Sequence, residues 1–197
     1  RVDTDGRYAA VCDYKTGSPK LSLNEIMEGL SLQLITYLLA LSKTKSTKDL
    51  LPAAMMYIYL HGRPKSMSVP PNGIPHAKEK ENTNGIFLND PDVLRTLDSQ
   101  SGTDDGFIGV SYVKDGSVKK TSPVLTAEEF EALKALTEKI LIRLYSRLES
   151  GEIAIHPVKN GTLSPCSYCP YRSICRFDPA LPENLSLIHI SEPTRLR

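Results

Sequence analysis

Apolar residues fall along this chain in two patterns, short unbroken runs and longer stretches at helical spacing. The run Arg7 to Cys12 is largely apolar, ends in Asp13, Tyr14 and Lys15, and is followed by the turn signal Thr16-Gly17-Ser18-Pro19. That combination predicts a buried strand with charge at its C-terminal end. Ser22 and Glu25 have capping-box spacing. A helix is therefore expected from Ser22 to about Ser42, with Ile26, Leu30, Leu34, Leu38 and Leu41 as its core stripe. A second buried strand is expected over Ala53 to Leu60, bounded by Pro52 and by the polar stretch His61 to Asn84. Four prolines and many Lys, Glu and Asn residues mark that stretch as a mobile surface insertion.

Further along, Asp90 and Pro91 are placed to cap and open a short helix reaching Asp98. Phe107 to Val113 and Val118 to Thr121 flank Asp115-Gly116 as the arms of a hairpin do. Thr126 and Glu129 form a second capping box, opening a long helix to about Ser150 with Leu133, Leu136, Ile140, Leu141, Leu144 and Leu148 facing inward. After Gly151 the chain turns loop-like. Strands and helices in mixed order, with hairpin and crossover signals together, predict an α/β fold in which a mixed sheet is flanked by helices.

With 197 residues, 40% hydrophobic and 24% charged, the chain has the composition of one globular domain with a sizeable core, which excludes disordered and fibrous classes. The most apolar stretch, Leu30 to Leu41, is too short to cross a bilayer. No charged leader with a cleavage site opens the chain, so a cytoplasmic protein without membrane partners is expected. Because Arg1 falls inside what reads as a strand, further residues are expected upstream. Residues 186–197 resemble a translated sequencing adapter and are set aside from fold reasoning. Without Arg195, Arg197 and Glu192, the 24 basic and 23 acidic residues come into balance. Neutrality gives no general DNA-binding surface, so any positive region must be local or lie outside this chain.

Three cysteines, Cys166, Cys169 and Cys175, stand at C-x2-C-x5-C spacing. Thiols this close in sequence converge on one soft metal centre at little loop-closure cost, and three is the wrong number for disulfides. The alternatives are a zinc site completed by a histidine such as His156, or plain thiols in a loop. Cys12 lies inside the apolar strand and reads as a small buried hydrophobe. Asp13 and Lys15 have the D-x-K spacing that places a carboxylate and an ammonium on one face of a strand. Such a pair suits metal-assisted phosphodiester hydrolysis: the carboxylate holds a divalent cation, and the lysine orients the attacking water or offsets transition-state charge. The bland alternative is a surface charge pair at a strand end. Gln33 and Tyr37 share a helical face between core leucines. They either satisfy neighbouring backbone groups or reach the phosphate region.

In order, Arg1-Val2-Asp3, Asp13 to Gly17, Gly29 to Tyr37, Pro52 to Tyr57, and Thr162 through the cysteines to Asp178 resemble the nuclease domain of the B subunit of AddAB-type helicase–nucleases. The resemblance runs from Arg1 to about Pro179 and includes a cluster-binding tail over 163–179. It implies a restriction-endonuclease-like PD-(D/E)XK fold and a Mg²⁺-dependent DNA exonuclease acting on unwound single strands during double-strand break processing. The partner it implies is the A subunit of the helicase–nuclease. It also implies that Asp13, Lys15, Gln33 and Tyr37 form the active site, with Asp13 a Mg²⁺ ligand, and that Cys166, Cys169 and Cys175 hold a 4Fe-4S cluster. Two of the family's features lie upstream of Arg1, a metal-binding Asp directly before the matching Arg and a fourth cluster cysteine. Asp3 matches the next acidic residue of that segment, but three positions along a strand would turn it to the opposite face. Rival readings are a stand-alone iron–sulfur exonuclease of the Cas4 kind, which the long segment Leu51 to Ser150 disfavours, and a catalytically silent fold that binds DNA or braces a complex.

Overall fold

The computed structural model describes residues 1–17, 19–60, 83–103, 106–153, 157 and 165–175. It divides into two compact units, Arg1–Ile142 and Arg143–Arg197. The first holds a five-stranded sheet in chain order: β1 (Val2–Thr4), β2 (Tyr8–Lys15), β3 (Leu51–Tyr59), β4 (Thr83–Leu88) and β5 (Val124–Leu125). β1 runs antiparallel to β2, β2 parallel to β3, β3 antiparallel to β4, and β4 parallel to β5. The expected mixed α/β sheet is therefore what forms. Its inner strands read as continuous apolar runs because both faces are covered: Ala9 to Cys12, Ala53 to Tyr57 and Ile86 to Leu88 are all buried.

The helix expected over Ser22 to Ser42 is instead two helices, α1 (Leu23–Met27) and α2 (Gln33–Lys43). Gly29 adopts a left-handed backbone, φ +85°, and closes α1 with two bonds: Gly29 N–H to Ile26 O at 3.0 Å and Leu30 N–H to Glu25 O at 2.7 Å. This pairing is a Schellman ending, which satisfies the last carbonyls and turns the chain. Ser22 caps α1 by accepting from the Glu25 N–H, while the Glu25 carboxylate accepts from the Ser31 hydroxyl at 2.8 Å. Ile26, Leu34 and Leu38 are buried as the apolar stripe requires, whereas Leu30 and Leu41 are half-buried. Ile35 joins the core from α2, which packs on β2 and β3.

β3 begins two residues earlier than expected and includes Pro52. A proline in an inner strand withholds a ladder hydrogen bond, and here the register slips beside it: Ala9 pairs with Pro52 but Ala10 with Ala54. The irregularity at Ala53 accommodates the missing donor. β4 takes up Thr83 and Asn84, which had been expected in the surface insertion. The rest of that insertion, residues 61–82, lies outside the described residues. Gly85 lets β3 and β4 approach, since a Cβ there would sit 2.5 Å from Met56 Cβ and 2.7 Å from the Met55 carbonyl.

α3 (Pro91–Leu97) forms as expected, with the Asp90 carboxylate accepting from the N–H groups of Asp92 and Val93. The hairpin is reduced to one bridge, Tyr112 to Val118, closed at Gly116. The loop before it is held by buried Asp98, which accepts from the N–H groups of Phe107 and Ile108. α4 (Ala127–Glu149) opens with the full capping box: Thr126 N–H donates to Glu129 at 2.8 Å and Glu129 N–H to Thr126 at 3.2 Å. Phe130, Leu133, Lys134 and Thr137 are its buried positions. Leu144 and Leu148, expected inward, are exposed at 43% and 77%. The buried face ends with Thr137, whose hydroxyl is satisfied by the Leu133 carbonyl at 2.8 Å, and the last turns of α4 carry their apolar side chains outward.

In the second unit, a 3-10 turn (Pro165–Ser167) and α5 (Arg172–Cys175) are the described elements beyond α4. His156, residues 163–164 and 176–179 of the expected tail, and the adapter-like segment 186–197 lie outside the described residues. Among the described residues, no helix is long and apolar enough to cross a membrane.

Candidate active site

The parallel pair β2 and β3 ends at one edge of the sheet, and α2 starts nearby. Binding sites in open α/β sheets gather beyond the carboxyl ends of parallel strands. Asp13 and Lys15, two residues apart on β2, project from one face, and the Lys15 ammonium lies 2.7 Å from Asp13 Oδ2. The same ammonium donates to Gln33 Oε1 at 3.0 Å. Gln33 Nε2 in turn donates to the Tyr37 hydroxyl at 3.2 Å. The break after α1 is what makes this possible, because it lets α2 begin at Gln33. All four residues singled out in the sequence thus stand in one connected set.

Pairing with Asp13 raises the Lys15 pKa above the ordinary lysine value, against an opposing effect of desolvation. The ammonium therefore stays charged across the neutral range. Sequence reasoning gave Tyr57 no place in the site, yet its ring centroid lies 5.2 Å from Lys15 Nζ. The signal was its level on β3, directly across from Asp13 in the parallel register, which no local pattern displays. Burial, first of all, raises the Tyr57 phenol pKa.

Asp13 Oδ2 is shut off from solvent and held against the Lys15 ammonium at 2.7 Å. A buried carboxylate oxygen with capacity to spare fits a hard cation, which takes oxygen ligands. Mg²⁺ typically rests on one or two carboxylates together with waters and substrate phosphates. Among the described residues, no group of three or more His, Cys, Asp or Glu side chains forms a ready-made metal site. From this chain, Asp13 is the carboxylate that would hold Mg²⁺.

Cys12 is buried, and desolvation pushes its thiol pKa up, in keeping with a hydrophobic role. Cys166, Cys169 and Cys175 are half-buried thiols. Their soft donor chemistry fits an iron–sulfur centre, but the described geometry does not gather them into one ligand set.

The chain belongs to the PD-(D/E)XK nuclease superfamily, whose sequence profile matches residues 1–176. It is also similar to curated proteins named as the B subunits of ATP-dependent helicase/deoxyribonucleases. It is 35% identical to the one from Desulforamulus reducens over 189 residues, covering 90% of this chain and 16% of the relative. It is 34% identical to the one from Symbiobacterium thermophilum over 194 residues, 92% of this chain and 16% of the relative. With the one from Clostridium kluyveri it shares 34% over 196 residues, 93% and 17% respectively. The chain therefore spans 16–17% of the length of these relatives.

Proposed function

We propose that this nuclease domain hydrolyses phosphodiester bonds from the ends of single-stranded DNA with Mg²⁺ as cofactor. It would do so within a helicase–nuclease whose A subunit helps deliver the unwound strand, during double-strand break processing in the cytoplasm. The observation that carries the reading is the Asp13 carboxylate oxygen, shut off from solvent and fixed 2.7 Å from the Lys15 ammonium. Asp13 would hold the cation. When bound, Mg²⁺ supplies Lewis acidity toward the phosphoryl group and lowers the pKa of the attacking water. Lys15 places a permanent positive charge where negative charge develops in the transition state. Gln33 and Tyr37 hold that ammonium in direction and line the approach of the strand. The names of the relatives support a nuclease subunit of a larger assembly. The cysteine spacing supports a 4Fe-4S cluster on Cys166, Cys169 and Cys175, with its fourth ligand from outside this chain and no part in the hydrolytic step.

The full-length protein with its partner subunit is expected to shorten linear single-stranded DNA in Mg²⁺, to stop on chelation with EDTA, and to leave circular single strands intact. Cleavage of circles at the rate of linear strands would overturn the exonuclease reading.

Gln33→Ala tests the roles within the set. Because Gln33 bonds to Lys15 and Tyr37 rather than to Asp13, the variant should cut more slowly, by about tenfold for one charge-assisted hydrogen bond. The Mg²⁺ concentration for half-maximal rate should stay the same. A large shift in Mg²⁺ requirement at unchanged maximal rate would assign Gln33 to the cation instead.

A further inference from the structure

We propose that Tyr57 is a positioning residue for Lys15: the face of its ring holds the ammonium in the direction from which it meets the scissile phosphate. The proposal rests on the reading of Lys15 as catalytic. Lysine is a point charge on a flexible stem, and nothing in its own geometry aims it. Two of its neighbours here are Asp13 and Gln33, at 2.7 and 3.0 Å. The third direction is the Tyr57 ring, 5.2 Å from Nζ to centroid, within the range at which an aromatic face attracts a cation. The ring is fixed by its surroundings: Tyr57 is 5% exposed and lies on β3 between β2 and β4, across from Asp13 on one side and Asn84 on the other. It gives the ammonium a fixed backstop beside its two polar partners.

A core tyrosine would need only its shape, whereas a positioning ring needs its negative face. Phenylalanine, difluorophenylalanine and trifluorophenylalanine at position 57 keep the shape nearly constant while draining that face in steps. In the full-length protein, Tyr57→Phe should retain kcat on linear single-stranded DNA within about threefold. The fluorinated residues should lower kcat progressively, by about three- to thirtyfold in total. KM for DNA and the Mg²⁺ requirement should not move. The fluorine resonance of the difluoro ring should also shift when Lys15 is replaced by Met, a reading of contact that needs no turnover. A flat kcat across the series, an unmoved resonance, or a loss in Tyr57→Phe as deep as that of the trifluoro variant would each overturn the proposal. Lys15→Met separates the two readings. If it stays active, Lys15 is not catalytic and both fall; if it is inactive while the series is flat, only the role of Tyr57 falls.

Discussion

Asp13→Ala and Lys15→Ala are each expected to lower DNA degradation by at least about 10²- to 10³-fold, the cost typical of removing a preorganised group aimed at transition-state charge. The fold should survive either change. Both side chains lie at the end of β2 rather than in its apolar run, with 24% of Asp13 and 31% of Lys15 exposed, and the neighbouring core from Ala9 to Cys12 is untouched. In Asp13→Ala the unpaired Lys15 keeps Gln33 as a partner, so circular dichroism and melting temperature should change little. The two losses should differ in kind. Asp13→Ala should not be rescued by more DNA, and Mg²⁺ binding followed by calorimetry should weaken with it. Lys15→Ala should bind Mg²⁺ at least as well, because a positive charge beside the cation has gone. Undiminished cleavage by both variants would sink the assignment of this site.

Cys169→Ser is expected to have the largest effect on stability. Under the proposed reading, with Cys166, Cys169 and Cys175 holding a cluster whose fourth ligand comes from elsewhere in the full-length protein, the centre would be a long-range cross-link. Closing a long loop stabilises by several kcal/mol on the analogy of a disulfide, roughly 3 to 5, and the binding energy of the centre becomes folding energy. The full-length protein purified without oxygen should be brown and contain iron and acid-labile sulfide, whereas Cys169→Ser should lose both and melt well below the parent. Colourless protein with stoichiometric zinc and full stability would replace the cluster by a zinc site.

The parts of the molecule that could be read in advance are those dictated by neighbours in sequence. Asp13 and Lys15 share a face because strands repeat every two residues, and Thr126 with Glu129 caps α4 because the geometry of a helix start is local. The helix break was also local, written in Gly29, but a leucine stripe continuing through Leu30 and Leu34 masked it. β4 escaped because Thr83 and Asn84 look polar, although its last three residues, Ile86 to Leu88, are core. Leu144 and Leu148 follow the same helical period as Leu133, and periodicity does not say where the covering layer stops. The contact of Lys15 with Gln33 and with Tyr57 joins residues 18 and 42 positions apart. Those depend on the crossover from β2 to β3 and on its register, which no single segment encodes.

The pairing of β1 with β2 acts as a ruler for the site. Val2 stands opposite Val11, and Arg1 exchanges both backbone hydrogen bonds with Cys12, each at 2.8 Å. Residues opposite one another in such a ladder share a face, so Arg1 and Asp3 stand with Cys12 and Ala10, and the Arg1 guanidinium donates to the Tyr14 hydroxyl, on the side away from Asp13 and Lys15. Sliding β1 by a single residue would turn the Arg1 and Asp3 charges onto the face of the Asp13–Lys15 pair.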